Sequence, residues 1–433
     1  MPVRDIIVIA ALVISLPFCF FRPFVGVMVW TVFAFLNPHR LTWGPSRNMP
    51  VAEMIAIPTL LGSLLFARIW NKLPRGTFYL LLLWSWFTVT ALHATYTPAL
   101  MHYNQDTWFR WGVVSKILLM VIVTIGVVDT FDRYRYLLFA ICGSFGAIVV
   151  WAIPWMIETH GQYRLYGPNG TAIADNNDLG LALNMTLPFF FFLAKSETNR
   201  RLKWLFGSLF VVTILAVFVT YSRGALVGLG VVLFLMVLTL PSRTILIPIL
   251  VLAILAGVFL MPNNWQERMD FARQGAVIDE SAMSRFNSWT YCWNLALDYP
   301  LTGAGFEAFT QPLFDKYAPN RGDLHGPHSV YFGVLAEHGF PGLILYLSFV
   351  AWILKRLYRI RREARDLGEE IMARYAAMLL FSVIAFLASG AFLGRAYFDY
   401  FFTLAGCSMI LGKIWENHVA EMAAEPELVE VYE

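Results

Sequence analysis

The chain has 433 residues, of which 58% are hydrophobic, 14% are charged and 16% are aromatic, with a formal net charge of +3. A soluble domain carries about 25% charged residues, whereas apolar runs of about 17–25 residues, long enough to cross ~30 Å of hydrocarbon, recur along this chain. This composition excludes an ordinary soluble domain and predicts an all-α polytopic membrane protein of about twelve transmembrane helices. We expect membrane lipids, and no nucleic acid, among its partners.

In chain order, twelve apolar segments are predicted to cross the membrane. The first is too long for one straight helix and is broken at Arg22 and Pro23, so one kinked span and a short hairpin both remain open. It lacks a small-residue cleavage site, which indicates a retained span rather than a cleaved signal. The predicted segments are 5–37, 50–68, 76–94, 113–130, 134–157, 178–194, 203–221, 222–240, 243–261, 329–354, 373–393 and 396–412.

Short basic connectors between these segments are predicted to face the cytoplasm. They are 68–75, 129–135, 195–203, 241–243 and 355–365. If the first segment counts as one crossing, the spans alternate consistently and both termini are cytoplasmic. The other connectors then lie outside, and they are 38–49, 95–112, 158–177, 221–223, 262–328 and 394–399.

The connector 262–328 is the only large one. Its stretches WQERMDFARQ and SRFNSWTYCWNLALDY have helical periodicity with aromatic faces, so we expect a small helical periplasmic cap on the membrane surface. The expected organisation is nine spans in 1–261, this cap, three spans in 329–412 and a cytoplasmic tail in 413–433. The acidic end of that tail is expected to be poorly ordered.

Several arginines lie in connectors that are predicted to be outside. Arg164 precedes a span, Arg223 opens one, Arg285 lies in the cap and Arg395 lies at the last outer turn. Each alone is an ordinary arginine that snorkels to lipid headgroups. Together, on the side that the positive-inside rule disfavours, they predict an anionic ligand, because guanidinium groups bind diphosphate oxygens bidentately.

The stretch HGPHSVYFGVLAEHGFPG, residues 325–342, is the second candidate for chemistry. His325 and His328 are three positions apart, whereas Glu337 and His338 follow ~9 residues later, which is ~13 Å along a helix with a rise of ~1.5 Å per residue. A zinc site needs three or four ligands at one point, so one metal ion cannot join the two groups. Metal binding by His325, His328 and a distant residue stays open.

General base catalysis suits His328 better than metal binding. Neighbouring arginines keep an imidazole neutral, and a neutral imidazole can accept the proton of an attacking hydroxyl. Glu337 and His338 are interpreted as a buried, hydrogen-bonded pair at a Gly-Phe-Pro-Gly break. The four cysteines of the chain have no paired spacing, so neither a zinc site nor a disulfide framework is predicted.

Three segments in this order resemble the O-antigen ligase family (WaaL-type), a branch of a wider ligase and polymerase superfamily. The first is YSRGALVG with Arg223, and the second is SRFNSWTYCWNLALDYPLTGAGFEAF with Arg285. The third fits the pattern H-[N/S/Q]-x9-G-x-x-G with His328, Gly339 and Gly342. The N-terminal RPFVGVMVWTVFAFLNPHRLTWG looks like one sub-branch, the O-glycosylation ligases that occur with exosortase systems.

The resemblance implies a GT-C-like, metal-independent, inverting glycosyltransferase of the inner membrane, without a cofactor and with an active site that faces the periplasm. Its donor would be a glycan on undecaprenyl diphosphate, and its acceptor a hydroxyl of lipid A–core oligosaccharide. His328 would be the general base. Arg223 and Arg285 would bind the diphosphate, with Arg164 and Arg395 as further contacts to the diphosphate or the glycan.

Related functions stay open beside the ligase. A polymerase would use the same donor with an undecaprenyl-linked acceptor, and a protein O-glycosylation ligase would transfer the glycan to a protein. A transporter of an anionic lipid would require ionisable residues at mid-membrane and often has inverted repeats, whereas the notable charges here lie at one edge. The sequence leaves the identity of the glycan, the acceptor and the oligomeric state undetermined.

Overall fold

The computed structural model describes residues 2–67, 69, 73–101, 104–240 and 280–431, and within them helices are formed and no strand. The predicted all-α class is therefore confirmed. The predicted span 243–261 and the cap residues 262–279 lie outside the described residues.

The α-helices are α1 (Val3–Phe21), α2 (Pro23–Phe35), α3 (Val51–Gly62), α4 (Thr77–Tyr96), α5 (Asn104–Val127), α6 (Phe131–Glu158), α7 (Asn176–Ser196), α8 (Arg200–Val219), α9 (Arg223–Leu238), α10 (Glu280–Asp298), α11 (Gln311–Tyr317), α12 (Val330–Asp366), α13 (Glu370–Gly390) and α14 (Asp399–Val431).

Eight of the helices in the described part are long and apolar enough to cross a membrane: α1, α4, α5, α6, α7, α8, α12 and α13. Three shorter apolar helices, α2, α3 and α9, accompany them. Large hydrophobic side chains such as Ile14, Phe18 and Val211 remain exposed on the bundle, which is the surface that lipid covers, and each helix satisfies its backbone groups internally. The chain is a polytopic membrane protein.

The first apolar segment, 5–37, forms a helical hairpin rather than one broken span. Pro23 has no N–H to continue α1, so α1 ends at Phe21 and α2 begins with this proline. The Asp5 carboxylate at the start of α1 accepts hydrogen bonds from the backbone N–H groups of Gly44 and Ser46, both at 3.1 Å. Because Gly44 and Ser46 follow α2, the two helices are antiparallel.

This hairpin changes the topology at the N-terminus. Arg4 lines the same cavity as Arg164, whereas Glu416 of α14 pairs with Arg356 in the second half of α12, at 2.8 Å. The expectation that both termini lie on one side is wrong, because it counted the first segment as a single crossing. The termini lie at opposite ends of the bundle, and the predicted tail is helical as far as Val431.

The connectors are sorted between the two ends of the bundle. At one end, Arg135 and Glu197 join two of the basic connectors with an ion pair of 2.5 Å. At the other end, the Tyr221 hydroxyl donates to the Gly161 carbonyl at 2.7 Å and so joins two of the connectors predicted to be outside. We call these the basic end and the cap end, since the cap lies at the second.

The described part of the cap, 280–328, consists of α10, α11, the loop between them and the loop that leads into α12. It has its own small core, in which the rings of Tyr291 and Phe314 stack with centroids 4.3 Å apart and Leu295 is fully buried. This core faces Ala336 of α12. The cap is thus a packed unit that rests on the first half of α12.

A kink divides α12 where the cap meets it. Pro341 has no N–H, so the Glu337 carbonyl lacks the donor that a regular helix would supply. Gly339 leaves the helical conformation altogether, with φ 66° and ψ −174°, a region that only glycine occupies readily. The break predicted at Gly-Phe-Pro-Gly is present.

The loop 300–305 of the cap supplies the partners that this kink leaves without a helical bond. Three backbone hydrogen bonds cross the contact: Ala304 N–H to the Ala336 carbonyl (2.9 Å), Gly305 N–H to the Glu337 carbonyl (3.0 Å) and Phe340 N–H to the Pro300 carbonyl (2.9 Å). A Cβ at Gly303 would lie 2.5 Å from the Ala336 oxygen, so only glycine permits this approach. We call the contact between 300–305 and 336–340 the clasp.

Candidate functional site

His328 lies at the cap end, where the cap loop turns into α12. Ser329 is the N-cap and Val330 begins the helix. The His328 backbone has φ 43°, which is uncommon for a residue with a side chain and persists only where the surroundings hold it. The imidazole is half-buried, so it is held in place and still reachable from the cap end.

Helix α10 holds the loop that carries His328. The Trp289 indole N–H donates to the Pro327 carbonyl at 2.9 Å, and the Ser288 hydroxyl lies 3.4 Å from the His325 carbonyl. The Trp289 ring also stacks on Phe332, with centroids 5.3 Å apart. Residues three and four apart share a face of a helix, so the face of α10 that holds the loop also carries Arg285.

The charges around His328 favour its neutral form. Burial is the largest cause that lowers its pKa below the ordinary value, and the positive charges of Arg285 and then His325 lower it further, while Asp175 opposes them. A lowered pKa keeps the imidazole unprotonated at neutral pH, with a nitrogen able to accept a proton. Arg285 and His328 are thus brought together, as the sequence predicted.

His325 is a neighbour of His328 with a partner of its own. Its Nδ1 lies 2.8 Å from an Asp323 carboxylate oxygen, and the two imidazole centroids are 6.3 Å apart. In the part of the chain that the structure describes, no group of three His, Cys, Asp or Glu side chains has the geometry of a metal site. A metal site at His325 and His328 therefore finds no third ligand among these residues.

Arg223 begins α9, close to the segment that packs against His328. A Cβ at Gly224 would lie 3.1 Å from Phe392 Cβ, and one at Gly394 would lie 3.3 Å from the His328 backbone nitrogen. The start of α9 and the start of α12 therefore pack against the same turn before α14. This brings Arg223 to the His328 region of the cap end.

Arg395 lies in that turn, and its charge is balanced there. Its guanidinium donates to the carboxylate of Asp178 in the first turn of α7; the Asp178 side chain is largely buried and that of Arg395 is half-buried. A guanidinium with a carboxylate partner adds less net charge to a ligand site. Arg395 therefore suits the fastening of the turn beside His328 better than direct capture of an anion.

Arg164 is separated from the other three arginines. It is exposed and lines a cavity with Arg4, Arg40 and Arg47, a cavity whose lining does not include Arg223, Arg285, His328 or Arg395. Both places are at the cap end, which is all that the predicted topology could specify. The sequence placed Arg164 at the right depth but did not reveal its lateral separation from His328.

Glu337 and His338 are buried as predicted, but they are not bonded to each other. The Glu337 carboxylate accepts from the Glu307 N–H at 2.9 Å and from the Tyr397 hydroxyl at 2.5 Å. His338 Nδ1 lies 2.7 Å from the Thr90 hydroxyl. The interpretation as a hydrogen-bonded pair is corrected, since consecutive helical side chains point in different directions and each finds its own partner.

Sequence reasoning missed the acidic side of this region. Asp175 caps α7 by accepting from the Asn177 N–H at 2.8 Å, and it also acts on His328. Asp178 meets Arg395 across 217 positions of sequence. The available signal was the cluster ADNND at a predicted outer helix start, where acidic residues are usually explained as helix caps alone.

Residues 208–347 match the family model described as O-antigen ligase, and they include Arg223, Arg285, His328 and the clasp. This part of the chain is an O-antigen ligase domain. Residues 3–198 match a second model, that of a family of unknown function (DUF5935). No curated protein matches the chain significantly.

The two matches differ in the candidate residues that they contain. Arg164 lies in the region of unknown function, and Arg395 lies outside both matched ranges. The ligase match alone contains the helix α10, the half-buried imidazole and the kinked helix that supports the cap. An O-antigen ligase domain implies glycosyltransferase-like activity in general.

Proposed function

We propose that this protein transfers a glycan from undecaprenyl diphosphate to a hydroxyl of lipid A–core oligosaccharide, at the periplasmic face of the inner membrane. The observation that carries the proposal is a half-buried imidazole within the O-antigen ligase match, His328, whose pKa is lowered by burial and by the charge of Arg285. The basic connectors at the opposite end of the bundle support a periplasmic cap end, because basic loops remain in the cytoplasm.

In the proposed reaction, His328 accepts the proton of the acceptor hydroxyl as its oxygen attacks the anomeric carbon of the donor. A new C–O bond forms, the bond to the diphosphate oxygen breaks on the opposite face, and the configuration inverts. Arg223 and Arg285 hold the departing diphosphate, whose charge increases as the bond breaks. Arginine can stabilise this charge without a metal ion, since its guanidinium remains charged and binds two phosphate oxygens at once.

Arg395 and Arg164 have secondary roles in this proposal. Arg395, joined to Asp178, positions the turn that supports His328, and its contact with the diphosphate stays a prediction. Arg164, in its separate cavity, is too weakly connected to the His328 region for a part in bond breaking. A contact between Arg164 and a distant part of the donor or its glycan remains a prediction.

The acceptor distinguishes the proposed ligase from its two alternatives, a polymerase and a protein O-glycosylation ligase. Residues 3–198 match a family of unknown function, so the acceptor is tested separately from the donor and the base. A polymerase or a protein O-glycosylation ligase would use the same donor and the same base. Lipopolysaccharide from cells that lack the protein separates these functions: core without a glycan ladder supports the ligase, and core with one repeat unit supports the polymerase. An unchanged lipopolysaccharide supports a protein O-glycosylation ligase.

The transfer chemistry is tested by His328→Ala in membranes supplied with lipid-linked donor and purified acceptor. We expect the rate to fall by about 10²–10⁴-fold, the usual contribution of a general base, while expression and thermal unfolding stay unchanged. The matched control is His325→Ala, which removes the neighbouring imidazole and should retain most of the activity. Full activity in His328→Ala, or a strict requirement for an added divalent metal, would contradict the mechanism.

A further inference from the structure

A second site lies at the cap end, away from His328. It is a cavity of about 920 Å³ formed by the start of α1, the turns after α2, the end of α6 and residues 164–169, a volume typical of ligand pockets. Its cationic lining consists of Arg4, Arg40, Arg47 and Arg164, and we call it the arginine cavity. It falls within residues 3–198, the region that matches the family of unknown function.

The positive charge of this cavity is not balanced by acidic side chains. Among the described residues, none of its four guanidinium groups has a carboxylate within ion-pair distance. The guanidinium of Arg4 lies over the Trp43 ring, 4.7 Å from its centroid, and Arg47 donates only to the Thr42 carbonyl, at 3.4 Å. The side chains of Arg40 and Arg164 make no hydrogen bond or ion pair in the described part. Four such cations beside one cavity favour an anionic ligand.

The turns that carry Arg40 and Arg47 are fixed by a network of hydrogen bonds. Asp5 is fully buried and anchors these turns, accepting from the Gly44 and Ser46 N–H groups and, at 2.7 Å, from the Ser46 hydroxyl. The Thr42 and Ser46 hydroxyls meet at 2.7 Å. Because this network occupies the Asp5 carboxylate and fixes the turns on either side, Arg40 and Arg47 are presented to the cavity from a rigid wall.

The apolar part of the lining points to a lipid rather than a soluble anion. Ile7 and Val8 of α1 contribute to the cavity, and α1 is the least buried of the eight candidate spans, so its outer face is covered by lipid. Trp43, Trp151 and Trp155 also line the cavity and remain 71%, 57% and 44% exposed. Exposed tryptophan rings are typical of the level where headgroups meet hydrocarbon. The lining therefore combines cationic side chains with apolar side chains of a helix whose outer face lies in lipid.

We propose that the arginine cavity binds the phosphoryl headgroup of a membrane lipid. A phosphoryl group offers several oxygens to guanidinium forks, which bind such groups bidentately, and its negative charge offsets the unbalanced arginines. The hydrocarbon chain extends along Ile7 and the exposed face of α1. Binding here needs no transfer chemistry, so the proposal stands independently of the function assigned to His328.

The test is a titration of the full-length protein in neutral detergent with dioleoyl phosphatidic acid, followed by native mass spectrometry. Phosphatidylcholine with the same chains is the zwitterionic comparison, and inorganic phosphate is the competitor. The wild type should bind phosphatidic acid saturably and more tightly than phosphatidylcholine. The double variant Arg40→Gln/Arg164→Gln should weaken this binding about tenfold or more, since each charge-assisted bond contributes on the order of a tenfold change.

The matched control is Arg200→Gln/Arg201→Gln, which removes two exposed arginines beside Trp204 at the basic end and should keep the wild-type affinity. Arg164→Gln alone changes an exposed side chain without hydrogen-bond partners, so it folds and should show a smaller loss in the same direction. Equal affinities in the two double variants would overturn the site. Displacement of the lipid by an equal concentration of inorganic phosphate would overturn its assignment to a lipid.

Discussion

The two halves of the 325–342 stretch contain similar residues in opposite surroundings. His328 lies at the helix entry, half-buried, on a loop that α10 holds by hydrogen bonds from Ser288 and Trp289. His338 and Glu337 lie beyond the next turns of the same helix, buried among protein side chains. The first half offers a group that a substrate can reach, and the second offers none.

The two halves of this stretch are constrained in different ways, the inner half by backbone packing and the outer half by side-chain chemistry. In the inner half, Gly339 and Gly342 follow the polar pair, and the backbone there bonds to loop 300–305. In the outer half, the side chain of His328 and its electrostatic neighbours matter. We therefore expect substitutions in the outer half to alter the rate of transfer, and substitutions in the inner half to alter the attachment of the cap and the stability of the fold.

The largest effect that sharpens this comparison is expected for Arg285→Lys. The charge is kept, but a lysine ammonium cannot replace the bidentate fork, so kcat/KM should fall on the order of 10²-fold, as when one donor to a developing charge is removed. Thermal unfolding should not change. Arg321→Lys, at an exposed arginine of the same cap, is the control. Wild-type kinetics in Arg285→Lys would remove this residue from the proposed site.

Gly339→Ala should have the largest effect on stability. Its φ of 66° with ψ −174° is a glycine conformation that costs other residues about 1–3 kcal/mol. The added Cβ would also lie 2.6 Å from the Pro300 oxygen and the Leu301 carbonyl carbon. We expect a loss of about 3 kcal/mol or more in the free energy of unfolding, measured in detergent, and faster proteolysis of the cap.

The control for Gly339→Ala is Gly322→Ala in the same cap. A Cβ there would meet only the Asn320 side-chain oxygen, at 3.7 Å, and its φ is not positive. The clasp would be refuted as the attachment of the cap if both alanine variants unfolded at the same temperature and resisted protease equally.

Substitutions of Glu337 should show whether its carboxylate stabilises the fold or takes part in the transfer reaction. Glu337→Ala leaves the Glu307 N–H and the Tyr397 hydroxyl without an acceptor, at about 1–3 kcal/mol for each buried group. Glu337→Gln keeps one carbonyl oxygen for one of these two donors, so it should cost about half as much as Glu337→Ala, on the order of 1–3 kcal/mol for the one donor left. Unfolding and transfer should be measured together. Loss of transfer in Glu337→Gln without loss of stability would show that Glu337 takes part in the transfer reaction.

The sequence was most informative where local chemistry decides the structure. Helical periodicity and apolar length predicted the all-α class, and Gly339 with Pro341 predicted the kink, because these depend on neighbouring residues. Hydrophobicity could not separate a hairpin from a kinked span in 5–37. That choice depends on Asp5 meeting Ser46, 41 positions away.

The same limit applied to the candidate site. The predicted topology assigned Arg164 and Arg285 to the same end of the bundle, which is correct, but a position along the membrane normal says nothing of position across the bundle. Partners such as Asp178 for Arg395 are distant in sequence and carry no local signal. Depth was therefore predictable, whereas lateral grouping and charge balance required the packed helices.

The smallest expected effect concerns the acidic neighbour of His328. Asp175 raises the His328 pKa against burial and the positive charges that lower it, so Asp175→Asn should lower this pKa further, by about a few tenths of a unit for a partly screened charge. Protonation removes the base, so the rate of transfer falls as pH falls through this pKa, and the acidic limb of the kcat/KM profile should move to lower pH. Asparagine retains the cap of α7, which leaves the fold unchanged. A limb that stays in place would show that His328 is not the group that titrates.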